Sequence, residues 1–290
     1  MRTNPPAPGP AAPCSPESGR SAPSRGAPRR RGGRLLVLAL VTGLLTTGAL
    51  TGGAAAAGAP SAATPWRVPR LTVMPLGDSI TQGVGSTTGD GYRAALRDAL
   101  DDHATDVDFV GSLRHGTHAD ADHEGHSGYR IDQVAGGIGP WLAASRPNVI
   151  TLHLGSNDIN RDHQVDTAPA RLAALLDRIT AATPGTTVLL APLVPNSKPG
   201  VQPRVDAFNR ALPALVAERR QRGAKIRLVD FGAIGATDLV DGLHPNDSGY
   251  RKMAHAFRAG LARAARAGLI SEQVTVDPSA PVTTAGAPVG

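Results

Sequence analysis

Cysteine is almost missing from these 290 residues: Cys14 is the only one, and it stands near the amino terminus. The rest of the chain can form no disulfide within itself and offers neither a thiol nucleophile nor a thiolate metal ligand. Aromatic residues make up only 3% of the sequence, too few for a broad stacking platform. A basic footprint for nucleic acid is absent as well. The net charge of +6 resides in the leader, because residues 1–34 hold seven arginines and one acid, Glu17. The remainder carries 23 basic and 23 acidic residues and is formally neutral. No internal repeat is visible.

Residues 1–34 also lack apolar side chains and are rich in Pro, Ser, Gly and Arg, so they cannot bury enough surface to fold. They lead into Leu35–Leu50, an apolar run preceded by Arg29, Arg30, Arg31 and Arg34 and followed by the small residues Ala54–Ala57. Basic, apolar and small-residue regions in that order describe a secretory signal, with cleavage expected near Ala57 and an extracellular product. The run is shorter than the ~20 residues that span a bilayer. An uncleaved signal anchor is the alternative, and the paired arginines also fit twin-arginine export. The expected organisation is a leader with signal over 1–57, a linker over 58–69, one domain over 70–268 and a flexible Pro/Thr/Ala/Gly tail over 269–290.

Within the domain, short runs rich in β-branched residues alternate with amphipathic stretches. Leu71–Leu76, Val107–Val110, Val149–Leu154, Thr187–Val194 and Ile226–Phe231 read as buried parallel strands. Tyr92–Leu100, Ala170–Ile179, Val205–Arg220 and Asp247–Ala265 read as helices; Leu172, Leu175, Leu176 and Ile179 form one apolar stripe. Five strands separated by helices predict an α/β fold, a doubly wound sandwich, because right-handed crossovers place helices on both faces.

Three motifs fall at strand exits or in loops. Gly77-Asp78-Ser79 closes the first strand, at the edge where open parallel sheets bind ligands. Gly77 is expected to permit an unusual backbone turn there and Asp78 to brace it, while a serine in such a place commonly serves only as a helix cap. Gly155-Ser156-Asn157-Asp158 closes the third strand, and Asn157 can donate amide hydrogens to an oxyanion or simply close an Asx-turn. Asp241-Gly242-Leu243-His244 precedes the last helix. One local turn lets its carboxylate orient an imidazole that takes a proton from a serine hydroxyl. Taken together, the three supply what acyl transfer demands.

With those residues in view, the sequence resembles the SGNH, or GDSL, hydrolases. Their four blocks are present in order across about residues 71–265, and the G-x-S-x-G elbow of other serine hydrolases is absent around Ser79. The resemblance implies catalytic Ser79, Asp241 and His244, and an oxyanion hole from the Ser79 and Gly128 amides and the Asn157 side chain. It implies a flavodoxin-like three-layer α/β/α sandwich with a five-stranded parallel sheet, no metal and no cofactor. Gly91-Tyr92-Arg93, Asp108-Phe109-Val110-Gly111-Ser112 and His123-Glu124-Gly125-His126-Ser127-Gly128 are similar to carbohydrate esterase family three, which removes acetyl groups from xylan and related sugars.

The expected partners are therefore small esters or acetylated carbohydrate, with no nucleic acid, membrane contact only through an uncleaved anchor, and a monomeric chain. A lipase or broad carboxylesterase on the same fold, and a non-catalytic exported sugar- or cell-wall-binding protein, are the competing readings. No long apolar lid favours the lipase, and the intact Ser79, Asp241 and His244 set argues against the binding protein. The density of His115, His118, Asp120, Asp122, His123, Glu124 and His126 would suit a metal, but no ligand spacing is diagnostic. A polar loop whose hydrogen bonds hold the Gly128 amide accounts for it. Trp141 is assigned to a helix and to the core.

Overall fold

The computed structural model describes residues 65–277. The basic leader, the signal run and residues 278–290 of the expected tail lie outside the described residues. The first described strand is β1 (Val68–Gly77), whose last seven residues are buried. On one side β1 pairs along its first half with parallel β2 (Ala104–Phe109), and at Leu76–Gly77 with parallel β4 (Asp122–Gly125). On the other side it pairs with parallel β5 (Val149–His153), followed by parallel β6 (Thr187–Leu190) and β7 (Ile226–Leu228).

All five predicted strands are present, in the spatial order β2-β1-β5-β6-β7. Two short strands are added. β3 (Leu113–Arg114) runs antiparallel to β4, and this hairpin occupies the segment expected to be a polar loop. Its strands are too short and too polar to show period-two alternation. By contrast, all five residues of β5 are buried, as a strand covered on both faces requires.

Helices α3 (Ile131–Ser145), α5 (Ala168–Ala182) and α6 (Gln202–Gln221) cover one face of the sheet. Their stripes, among them Ile131, Val134, Ile138 and Leu142 on α3, pack against Met74, Leu76, Ile150 and Leu152. The other face is covered by α1 (Ser79–Gln82), α2 (Arg93–Asp98) and α7 (Asp247–Arg266). There Tyr250, Met253, Phe257 and Leu261 meet Leu71, Val73 and Val149. Each such side chain, fully buried, contributes about 1.5–3 kcal/mol. A single turn, α4 (Ser156–Asn160), follows β5. The result is a three-layer α/β/α sandwich.

The domain boundary expected at residue 268 needs correction. Thr187 Oγ1 donates to the Leu269 carbonyl (2.8 Å), Asn148 Nδ2 to Ser271 O (2.8 Å) and the Asp277 amide to Ala182 O (2.8 Å). Leu269 and Ile270 also pack on the core. Residues 269–277 are thus bound beneath the amino ends of β5 and β6. Their Ser/Glu/Gln/Val composition hid this, because the partners are side chains distant in sequence.

Candidate active site

The sheet order β4-β1-β5 places three strand exits side by side, and each contributes to one cleft. At the end of β1, Asp78 rather than Ser79 caps the following turn, its Oδ1 accepting the Ile80 amide at 3.0 Å. Ser79 is thereby released from capping and takes the first helical position. Gly77 plays a different role from the one expected. Its φ is ordinary, but a Cβ there would lie 2.2 Å from His153 O and 2.4 Å from Thr81 Oγ1. Close approach of β5 and α1 demands the glycine.

Ser79 Oγ lies 3.0 Å from His244 Nε2. On the far side of the imidazole, Nδ1 lies 2.7 Å from Asp241 Oδ2. The other carboxylate oxygen, Oδ1, accepts the His244 amide at 2.8 Å and the Leu243 amide at 3.0 Å. The three-residue spacing therefore closes a turn that aims both side chains. Partial burial of the Asp241 carboxyl would raise its pKa, but the bonds from His244 and Leu243 outweigh it and bring the pKa down to about 2. Asp241 is an anion at any ordinary pH.

Gly128, three residues beyond β4, has φ +80°, a left-handed conformation that favours glycine. Neither its amide nor that of Ser79 meets an acceptor among the described residues. Asn157, on α4, gives one hydrogen of Nδ2 to Tyr129 O at 2.9 Å, which ties it to the Gly128 loop and leaves the second hydrogen for another acceptor. The four sequence-predicted side-chain positions, Ser79, Asn157, Asp241 and His244, thus stand with Gly128 around one edge of the sheet.

The bracing of this edge was less legible. His126 donates its amide to Gly77 O (3.0 Å), and its ring lies between those of Tyr129 and Trp141. Its Nε2 lies 2.6 Å from Glu124 Oε1, and the buried Glu124 also accepts the Ser112 amide and hydroxyl, each at 2.7 Å. Trp141 is half-buried against the core, as expected of a helix residue. Asp158 accepts the Ile131 amide at 3.1 Å and pairs with Arg171, fixing α4 to α3 and α5.

Arg93 had no assigned role. It is buried without a carboxylate partner, and burial lowers its pKa. Five carbonyls accept its hydrogens: those of Thr81 (3.1 Å), Ala121 (2.7 Å), Gln82 (3.0 Å), Gly89 (3.0 Å) and His115 (2.6 Å). One guanidinium locks the Ser79 turn to two loops. Backbone acceptors leave no mark on the sequence, so only its place in the Gly-Tyr-Arg block pointed to it.

The His- and Asp-rich segment is a hydrogen-bonded hairpin. Asp120 takes Arg97 (2.8 Å) and the Phe109 amide (3.0 Å), Asp122 takes Arg114 (2.7 Å), and His123 Nδ1 accepts the Gly125 amide (2.9 Å). Among the described residues no three His, Cys, Asp or Glu side chains converge where they could hold a metal ion.

Residues 76–252 match the GDSL-like lipase/acylhydrolase family. The chain belongs to that family. Among solved structures, this GDSL-family chain is similar to the Clostridium thermocellum family 3 carbohydrate esterase. They are 31% identical with a TM-score of 0.62, covering 69% of this chain and 99% of that one. A carbohydrate esterase of family 3 from Talaromyces cellulolyticus is 26% identical, with a TM-score of 0.59 over 69% of this chain and 99% of that one. A curated multidomain esterase of Ruminococcus flavefaciens is 29% identical over 212 residues, which is 63% of this chain. The chain spans only 27% of that relative's own length.

Proposed function

We propose that the protein is a serine esterase that removes small acyl groups, acetyl above all, from carbohydrate. The observation that carries this reading is the relay from Ser79 Oγ through His244 to Asp241, at 3.0 and 2.7 Å, opening on the carboxyl edge of the sheet. In this reading His244 takes the Ser79 proton while Oγ bonds to the ester carbon. The oxyanion that forms is held by the Ser79 and Gly128 amides and by Asn157. Collapse breaks the bond to the alcohol oxygen, which receives the proton from His244. Water, deprotonated by the same imidazole, then attacks the acyl-enzyme and releases the carboxylic acid and free Ser79. Asp241 stays ionised and balances the imidazolium. No metal or cofactor enters a step.

Acetyl is favoured over long acyl chains because no long apolar lid is evident in the sequence. A chain gains ~0.8 kcal/mol per buried methylene only where a groove receives it. The names of the carbohydrate esterases among the similar structures support a sugar as the alcohol. Export rests on the leader over 1–57, and sequencing the amino terminus of the secreted product would test it.

The activity test is Ser79→Ala. It should lower turnover of p-nitrophenyl acetate by ~10⁴-fold or more with the fold retained, because members of a triad act as a unit. A well-folded variant keeping a tenth of wild-type turnover overturns the assignment. In the wild type kcat/KM should fall from acetyl to octanoyl esters; a tenfold preference for octanoyl would make the protein a lipase instead.

A further inference from the structure

Val84 and Val240 are the exposed large hydrophobic residues among the described residues, at 37% and 58% exposure; Val240 opens the His244 turn, and Val84 precedes Gly85, which approaches it. An isolated exposed valine needs no explanation. Their attachment does. The Val84 amide donates to Ser79 O at 3.0 Å, and its carbonyl accepts the Tyr250 hydroxyl at 2.6 Å. The Val240 amide donates to His244 O at 2.9 Å. Each valine is hydrogen-bonded directly to the backbone of a residue in the relay.

Gly85 joins the two sides. A Cβ on Gly85 would lie 2.6 Å from Pro245 O, 2.8 Å from Val240 Cγ2 and 3.1 Å from His244 Cβ. The loop after α1 therefore packs against the His244 turn, with Val240 Cγ2 at the contact and Val84 the residue immediately before it. On the Gly128 side, Arg161 donates to Gly128 O at 3.1 Å and is exposed. The His244 turn thus carries an exposed valine beside the exposed Asp241 carboxylate, with a second valine on the loop packed against it.

Reaction geometry decides what meets that side. In a tetrahedral adduct on Ser79 Oγ, the oxyanion must face the Gly128 and Asn157 side of the cleft. The alcohol oxygen must face His244 Nε2, which protonates it. The acyl group takes the remaining direction. Whatever is attached to the alcohol oxygen thus extends over the His244 side. We propose that Val84 and Val240 form a leaving-group lip that selects alcohols presenting an apolar ring face next to the ester oxygen, such as the C–H face of a pyranose. The valines set specificity for the alcohol and do not read the acyl chain. This inference rests on the esterase reading above and names the substrate feature that the same site recognises.

The test uses acetates of ordinary alcohols, so that intrinsic reactivity cancels when each variant is compared with wild type. Val240→Ser and Val84→Ser, both exposed positions, should raise KM for cyclohexyl acetate and for a pyranose monoacetate about three- to tenfold. The rise for methyl acetate should be less than half as large, with kcat little changed throughout. Val240→Ile should shift cyclohexyl acetate the opposite way. A matched series of methyl acetate and methyl butanoate should show the same variant-to-wild-type ratio. If the methyl butanoate ratio falls instead, the valines line the acyl side and the proposal is wrong. Equal loss of kcat on every ester would make them supports of His244, which also overturns it. Failure of the esterase reading looks different: the wild type itself would not hydrolyse any of these esters.

Discussion

In the proposed reaction, Asn157 would be a side chain prepared for charge that exists only briefly. One of its amide hydrogens is already given to Tyr129 O at 2.9 Å, so its orientation costs nothing further when an oxyanion develops. Asn157→Ala should lower kcat by roughly 10²–10³ with KM little changed. A steep rise in KM at constant kcat would show that Asn157 binds substrate in its ground state. The juxtaposition of Ser79, Asn157, Asp241 and His244 as a candidate site was legible in the sequence because each sits where an apolar strand stops or the last helix is about to start. Gly128 was not legible from spacing. It follows a polar hairpin with no strand signature, and only the block resemblance marked it. Asp78 also exceeded its expected part as a brace. Burial raises its pKa to about 6 against its bond from the Ile80 amide.

Among the elements, α1 cannot stand alone. A helix of four residues has almost no stability of its own, since nucleation is unfavourable. It is held by Asp78 at its start and by Arg93 at the Thr81 and Gln82 carbonyls. Arg93→Lys keeps the charge but cannot reach five carbonyls with one ammonium. Leaving several buried carbonyls unpaired should lower unfolding stability by at least about 3 kcal/mol, measured by urea denaturation. It should also lower kcat for acetate esters, because the Ser79 turn loses its anchor. A Lys variant with wild-type stability would show that water or lysine satisfies those carbonyls equally well. The five main strands were legible as short apolar runs, and α5, α6 and α7 by the apolar residues each turns to the core. The β3–β4 hairpin was not, since its stability comes from ion pairs and from Asp120 reaching the Phe109 amide.

Acid tolerance belongs to the whole molecule, and two kinds of buried group set it in opposite directions. His153 on β5 is fully buried with neither ring nitrogen paired, and burial lowers its pKa to about 4; His123 falls to about 3 for the same principal reason. A histidine whose folded pKa lies below its unfolded 6.5 binds fewer protons when folded. Its contribution is complete above pH 6.5 and is lost as pH falls through 6.5 towards 4. Asp78, raised from 3.8 to about 6, acts the other way and weakens the fold as pH rises across that window. Replacing His153 with leucine should remove one share of the acid sensitivity. Between pH 7 and pH 4.5 the variant should lose about 2–3 kcal/mol less unfolding free energy than wild type. An identical loss in both proteins would mean that His153 is protonated in the fold. At this scale the segment over 269–277 has a further consequence. Asn148, which donates to Ser271 O, also donates to Arg70 O at the start of β1. The polypeptide therefore enters and leaves the described fold along the amino edge of the sheet, opposite the edge that bears Ser79. Anchored by either end to a bead, a membrane or a neighbouring domain, the molecule would hold its Ser79 edge on the side away from the anchor.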